Sequence, residues 1–173
     1  MAKYVTTPEN AAATIEAVTD GLVKRIGFEA ESRAYRLSNE LTNATAKVLA
    51  GQRHGRRYVV PGTGRVTYNK KNKTRKITHK YYTASAPGEP PAVRTGAFRM
   101  SWKRRTYIDG RSGNDRVIHA VAESDLRVKN GMLLGNILED GTRRMAPRPY
   151  KQRVIDMATP KIKRIMKEPY LRG

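Results

Sequence analysis

Apolar positions in the first third of the chain return at steps of three and four residues: Ile15, Val18, Leu22, Ile26, Ala30, Ala34, Leu37, Leu41, Ala44 and Val48. That spacing places them on one face of a helix. Thr7-Pro8-Glu9 supplies its start: a side chain that can cap free amides, a ring preformed for the first helical position, and a carboxylate suited to the positive end of the dipole. Run unbroken from Pro8 to Ala50, such a helix would be about 65 Å long at ~1.5 Å per residue, more than so small a domain can cover. Gly21 and Gly27 each weaken the middle by about 1 kcal/mol relative to Ala. The helix therefore either bends there or reaches over a neighbouring subunit. Both outcomes predict self-association, with Leu37 and Leu41 at the subunit interface; the plain alternative is a pair of core helices in a monomer.

Beyond Ala50 the period changes. Gly51 to Gly64 reads as a loop from its Gly and Pro content. Arg65–Tyr68 and Thr74–Tyr82 are rich in Thr, Tyr and branched residues and flank the polar Asn69–Lys73, which predicts a hairpin with an exposed tip. Ala84 to Val93, with Pro87, Pro90 and Pro91, can sustain neither ladder nor helix and should run extended. A short helix capped by Thr95 is expected up to Ser101, then strands over Trp102–Ile108 and Arg116–Glu123 joined by turn chemistry at Asp109–Asn114. Gly131–Glu139 reads as a short helix ended at Gly141, and Pro149–Lys167 as a final amphipathic helix that Pro160 should kink or restart. The sum is one α+β domain over 1–173, with an antiparallel sheet of about four strands. It divides into a helical arm (1–52), a basic loop and hairpin (53–83), a Pro-rich arm with strands and a short helix (84–148), and a C-terminal helix (149–173).

Charge sharpens this outline. The chain of 173 residues has a formal net charge of +20, yet residues 1 to 52 hold six basic and six acidic side chains, so the excess lies beyond them. Arg53 to Lys80 carry ten Lys or Arg and no carboxylate. Such a one-signed segment repels itself and points to a polyanion or an acidic protein surface, with Arg56, Arg57, Lys70, Lys71, Lys73, Arg75 and Lys76 as the contact residues. There is no cysteine, which removes disulfides and thiolate metal sites. The first residues lack the apolar core of a signal peptide and no apolar run is long enough to span a bilayer, so a soluble protein made in the cytosol, without membrane contact, is expected.

Candidate chemistry is sparse. His54, His79 and His119 have no partner at metal-ligand spacing. Gly62-Thr-Gly64 precedes a strand and lacks the Lys-Ser/Thr of a phosphate loop. The adjacent acids Glu139 and Asp140 end a short helix, where they oppose its dipole; pairing with Arg143, Arg144 or a neighbouring subunit would explain them. The expectation is no enzyme, no metal and no cofactor.

Two stretches carry a resemblance. Ser85-Ala-Pro-Gly-Glu-Pro-Pro-Ala-Val-Arg-Thr-Gly-Ala-Phe-Arg-Met-Ser101 resembles the SAPGEPPxxxTGxLRxS stretch of neck and tail-completion proteins of long-tailed bacteriophages. Leu138-Glu-Asp-Gly-Thr-Arg-Arg-Met-Ala-Pro-Arg-Pro-Tyr150 resembles their ExGTxxMxxRPF stretch, in the same order along the chain. The resemblance implies an α+β virion protein without a catalytic site, assembled in the bacterial cytoplasm into a homo-oligomeric ring, a hexamer, in the neck between capsid and tail. Its neighbours there would be connector or head-closure, tail-terminator and tail-tube proteins, with genomic double-stranded DNA passing through the channel. Pro87, Pro90, Pro91, Thr95, Arg148 and Tyr150 would then lie at subunit contacts; the alternative is that these segments anchor loops within the chain. The sequence departs from the pattern in the basic insertion Arg53–Lys80 and in Tyr150, where Phe is usual. The competing reading, from charge alone, is a basic module that grips duplex backbone non-specifically.

Overall fold

The computed structural model describes residues 8–110 and 116–170, the side chains of 8–12, 110 and 116 excepted. The Thr7 cap and most of the Asp109–Asn114 turn therefore lie outside the described residues.

Helix α1 runs without interruption over Pro8–Ala50. Gly21 and Gly27 do not break it, and a Cβ at either would meet nothing. Only its second half is covered. Ala34, Ala44, Val48 and Leu49 are buried against α4 (Lys151–Met166), the β5 (Trp102–Gly110) and β6 (Arg116–Ser124) ladder, and α2 (Ala97–Met100). The point where α1 leaves the body is marked by polar ties to the end of the chain. Arg36 makes two hydrogen bonds to Glu168 at 2.6 and 2.8 Å. The Arg33 guanidinium donates to Glu29 and to the Pro169 carbonyl and lies 3.8 Å over the Tyr170 ring.

The core is built around one aromatic trio. Tyr150, Phe98 and Trp102 pack edge to face with ring centroids 5.7 to 5.9 Å apart, the arrangement that the ring quadrupoles favour. Ala44, Val48, Leu49, Val154 and Ala158 close around Tyr150. Leu41 packs on the same cluster, so it holds the subunit together and a substitution there tests folding before assembly. In α4, Pro160 stands inside a helix that continues to Met166; no restart occurs.

The strands differ from the expected four-stranded sheet. Among the described residues they pair two by two in three separate antiparallel ladders, β1 (Arg57–Val59) with β4 (Tyr81–Thr83), β2 (Arg65–Asn69) with β3 (Thr74–Thr78), and β5 with β6. The stretch Thr74–Tyr82, read as one strand, divides at His79-Lys80, and its second part pairs with three residues of the expected loop. Gly and Pro flanking so short a strand conceal it in the sequence. The long hairpin of β5 and β6 matches expectation, in register from Trp102 opposite Ser124 to Gly110 opposite Arg116.

The two motif segments are anchored within the chain. Glu139 accepts hydrogen bonds from the Tyr150 and Lys151 amides at 3.0 and 3.2 Å. The acid that opposes the dipole of α3 (Leu134–Asp140) thus satisfies free amides at the start of α4. Gly141 adopts φ 76°, and a Cβ there would stand 2.6 Å from the Met145 carbonyl; only glycine fits this close return of the chain.

Candidate functional site

Two elements stand outside the body. The first is the outer half of α1, where every described side chain from Ala13 to Ile26 is exposed. It includes the apolar stripe, with Ile15 at 66%, Leu22 at 40% and Ile26 at 40% exposure. The stripe continues into the covered half of the same helix, so one apolar face passes from core to solvent.

The second is a two-stranded β-arm. Gly55 and Ala84 hydrogen-bond at its base, β1 and β4 form its lower part, and Val60 donates to the Lys80 carbonyl at 2.8 Å. Around the Pro61–Thr63 turn, the Thr63 hydroxyl bridges the strands by donating to the Val60 carbonyl and accepting from the Lys80 amide. β2 and β3 carry the ribbon outward, for about 40 Å in all at ~3.3 Å per residue. Every residue from Gly64 to Lys80 is exposed. At the tip the Asn69 side chain accepts from the Lys71 amide and Lys73 takes φ 50° to complete the turn.

Within this arm the faces differ. Val66 stands opposite Ile77 and Tyr68 opposite Arg75, while Thr67 faces Lys76 and Arg65 faces Thr78 across the other face. One face thus carries the exposed apolar Val66, Tyr68 and Ile77, with Val66 and Ile77 both at 60% exposure, and Arg75 beside Tyr68. Lys70, Lys71 and Lys73 form the tip, and Arg75 and Lys76 follow on the second strand. Arg56 and Arg57 sit lower, over the rings of Tyr58 and Tyr81 at 5.7 and 4.4 Å. The basic residues chosen from the sequence are therefore brought onto one projecting element. Arg53 is different: its guanidinium caps the end of α1 through the Val48, Leu49, Gly51 and Gln52 carbonyls and reaches Pro91 at 3.1 Å.

The residues assigned to subunit contacts divide. Tyr150 is 2% exposed, and Pro90 and Pro91 are buried in the chain's own body. The sequence marks them as special without saying that they serve the interior. Pro87 and Thr95 are exposed, and Leu37 and Arg148 are half-buried. Gly96, at φ 82°, holds the N-cap position of α2 in place of the expected Thr95, whose hydroxyl, one residue earlier, accepts from the Ala97 amide at 3.3 Å. Beside them lies an apolar groove of about 340 Å³ lined by Leu49, Val93, Phe98, Leu134 and Leu138, with Arg94, Arg99 and Arg148 at its edge. The signal for the bare half of α1 was present in the length of the stripe; the exposed faces of β1 and β4 gave none.

The Pro-rich strap is held by one carboxylate. Glu89 accepts from the amides of Ala86 and His54 at 2.9 and 3.0 Å, and its other oxygen lies 2.6 Å from His54 Nδ1. These hydrogen bonds, the Ala86 amide foremost, hold its carboxyl down at about 2, against an ordinary 4.5. Because the folded value is depressed, the contribution to stability is complete above about 4.5 and disappears as pH falls through about 2. The Glu89→Gln chain should therefore melt below the parent at pH 7, and the gap should close between pH 5 and pH 2. A gap independent of pH would show that the charge of Glu89 does not hold the strap.

Among the described residues no three His, Asp or Glu side chains gather where they could hold a metal ion. No helix among them is long and apolar enough to cross a membrane. Comparison with family models, with curated proteins and with solved structures finds no match.

Proposed function

We propose that this chain is a structural, non-enzymatic subunit of the neck of a long-tailed bacteriophage. Copies form a homo-oligomeric ring, a hexamer, that completes the tail or joins it to the head connector, with the DNA path through its centre. The observation that carries the reading is the bare apolar stripe of α1 from Ile15 to Ile26, a helix half that its own subunit leaves in water. Continuous exposed apolar surface of this kind marks an interaction site. The resemblance of Ser85–Ser101 and Leu138–Tyr150 to neck and tail-completion proteins supplies the setting, and the α+β subunit with its long arm is compatible with it.

A second reading has one observation in its favour. The basic β-arm, free of carboxylates, would suit a duplex backbone, with the protein acting as a non-specific nucleic-acid-binding module. It leaves the apolar stripe without a role.

The tip separates an assembly role from a solvated surface. Replacing Lys70, Lys71 and Lys73 by Glu should leave the subunit folded, since all three are exposed, and should block joining of heads to tails in a complementation assay. Normal infectious particles from the triple variant would show that the tip carries no contact.

A further inference from the structure

Two surfaces that the subunit's body leaves exposed fit each other and not themselves. Residues Pro8 to Ser32 hold five carboxylates, of which Glu29 pairs with Arg33, against two cations, Lys24 and Arg25, in a chain whose net charge is +20. Gly64 to Lys80 hold seven cations and no carboxylate. Each segment also carries an exposed apolar row, Ile15, Val18, Leu22 and Ile26 on the helix, and Val66, Tyr68 and Ile77 on one face of the β-arm. Their reach agrees: Ile15 to Ile26 spans about 16 Å of helix at ~1.5 Å per residue, and a five-residue strand about 17 Å at ~3.3 Å per residue.

We propose that the β-arm of one copy lies across the outer half of α1 of the next copy. Val66, Tyr68 and Ile77 cover the stripe around Leu22, and Arg75 on the same face, with the tip lysines Lys70, Lys71 and Lys73, comes to rest beside Glu16 and Asp20. This rests on the ring reading and names the contact that builds the ring. Each copy offers one arm and one helix, so the contact is head to tail, and a head-to-tail contact closes into a ring when its rotation permits. Pairing of α1 with α1 would leave the basic arm without a partner and stop at a dimer. Duplex DNA would satisfy the lysines and leave the stripe in water. The neighbouring helix satisfies both, and burying two apolar faces together removes the cost of exposing either.

The absence of native cysteine makes the test direct. Leu22→Cys and Ile77→Cys are made in separate full-length chains, mixed, and oxidised mildly, with solution mass followed by light scattering on the parent protein. The expected result is a multimeric parent and a disulfide-linked pair in the mixture, with neither variant linking to itself. A second comparison guards against a bond that cannot form for local reasons. Glu16→Lys with Asp20→Lys should weaken assembly at least tenfold, and Lys71→Glu with Arg75→Glu in the same chain should restore it. Rings with no cross-link and no restoration, or Leu22→Cys linking to itself, would overturn this contact while leaving the ring; a parent that stays monomeric would overturn both.

Discussion

Replacing Tyr150 by Ala should unfold the subunit. The ring is 2% exposed and touches Phe98 and Trp102 edge to face. Removing so large a buried aromatic costs about 3–5 kcal/mol, a large part of the roughly 5–15 kcal/mol by which a domain is stable. Packing around the site resists collapse, because a Cβ on Gly135 would already lie 2.8 Å from the Tyr150 hydroxyl. Burial, with Glu139 and Asp140 nearby, pushes the phenol up to about 12. The folded value is raised, so this contribution is full below the ordinary 10 and disappears as pH rises through about 12. Tyr150→Phe keeps the ring and loses only the hydroxyl, and should melt within a few degrees of the parent. Far-UV dichroism on heating checks both; a Tyr150→Ala chain that melts with the parent would mean the trio does not organise the core.

The second large effect separates assembly from folding. Leu22→Asp and Ile26→Asp place a charge in the middle of the bare stripe, where the subunit's own packing is untouched. The thermal midpoint should stay within a few degrees of the parent. Ring formation should vanish, since a charge without a partner inside an apolar contact costs several kcal/mol. Leu41→Asp should behave oppositely and lose the fold, because Leu41 packs on the core cluster. Unchanged particle mass in both Leu22→Asp and Ile26→Asp would remove the stripe from the interface.

The helices were legible because their period of apolar residues is long and their ends carry recognisable chemistry. Gly141 takes the positive φ that its residue type favours, and the Thr95 hydroxyl accepts from the first amide of α2. Strand pairing was less legible. Period-two patterns identify a strand but not its partner, and the three residues of β1 are too few to stand out between Gly55 and Pro61. The basic arm could be seen from charge alone, whereas its division into an apolar and a polar face depends on the register of Val66 with Ile77. Tyr150, Pro90 and Pro91 lie in a conspicuous motif, yet a motif does not say whether its residues face a neighbour or the interior. Burial decided that, and sequence carries no direct record of it. Glu139 illustrates the same limit: its position at the end of α3 looked unfavourable until the start of α4 came within 3.0 Å of it.

The most direct test is the mass and shape of the purified full-length protein, by multi-angle light scattering and negative-stain electron microscopy, with and without duplex DNA. Closed rings of six copies should form without DNA and dissolve into folded subunits on Leu22→Asp. A monomer at every concentration, binding DNA with a steep dependence on salt, would contradict this.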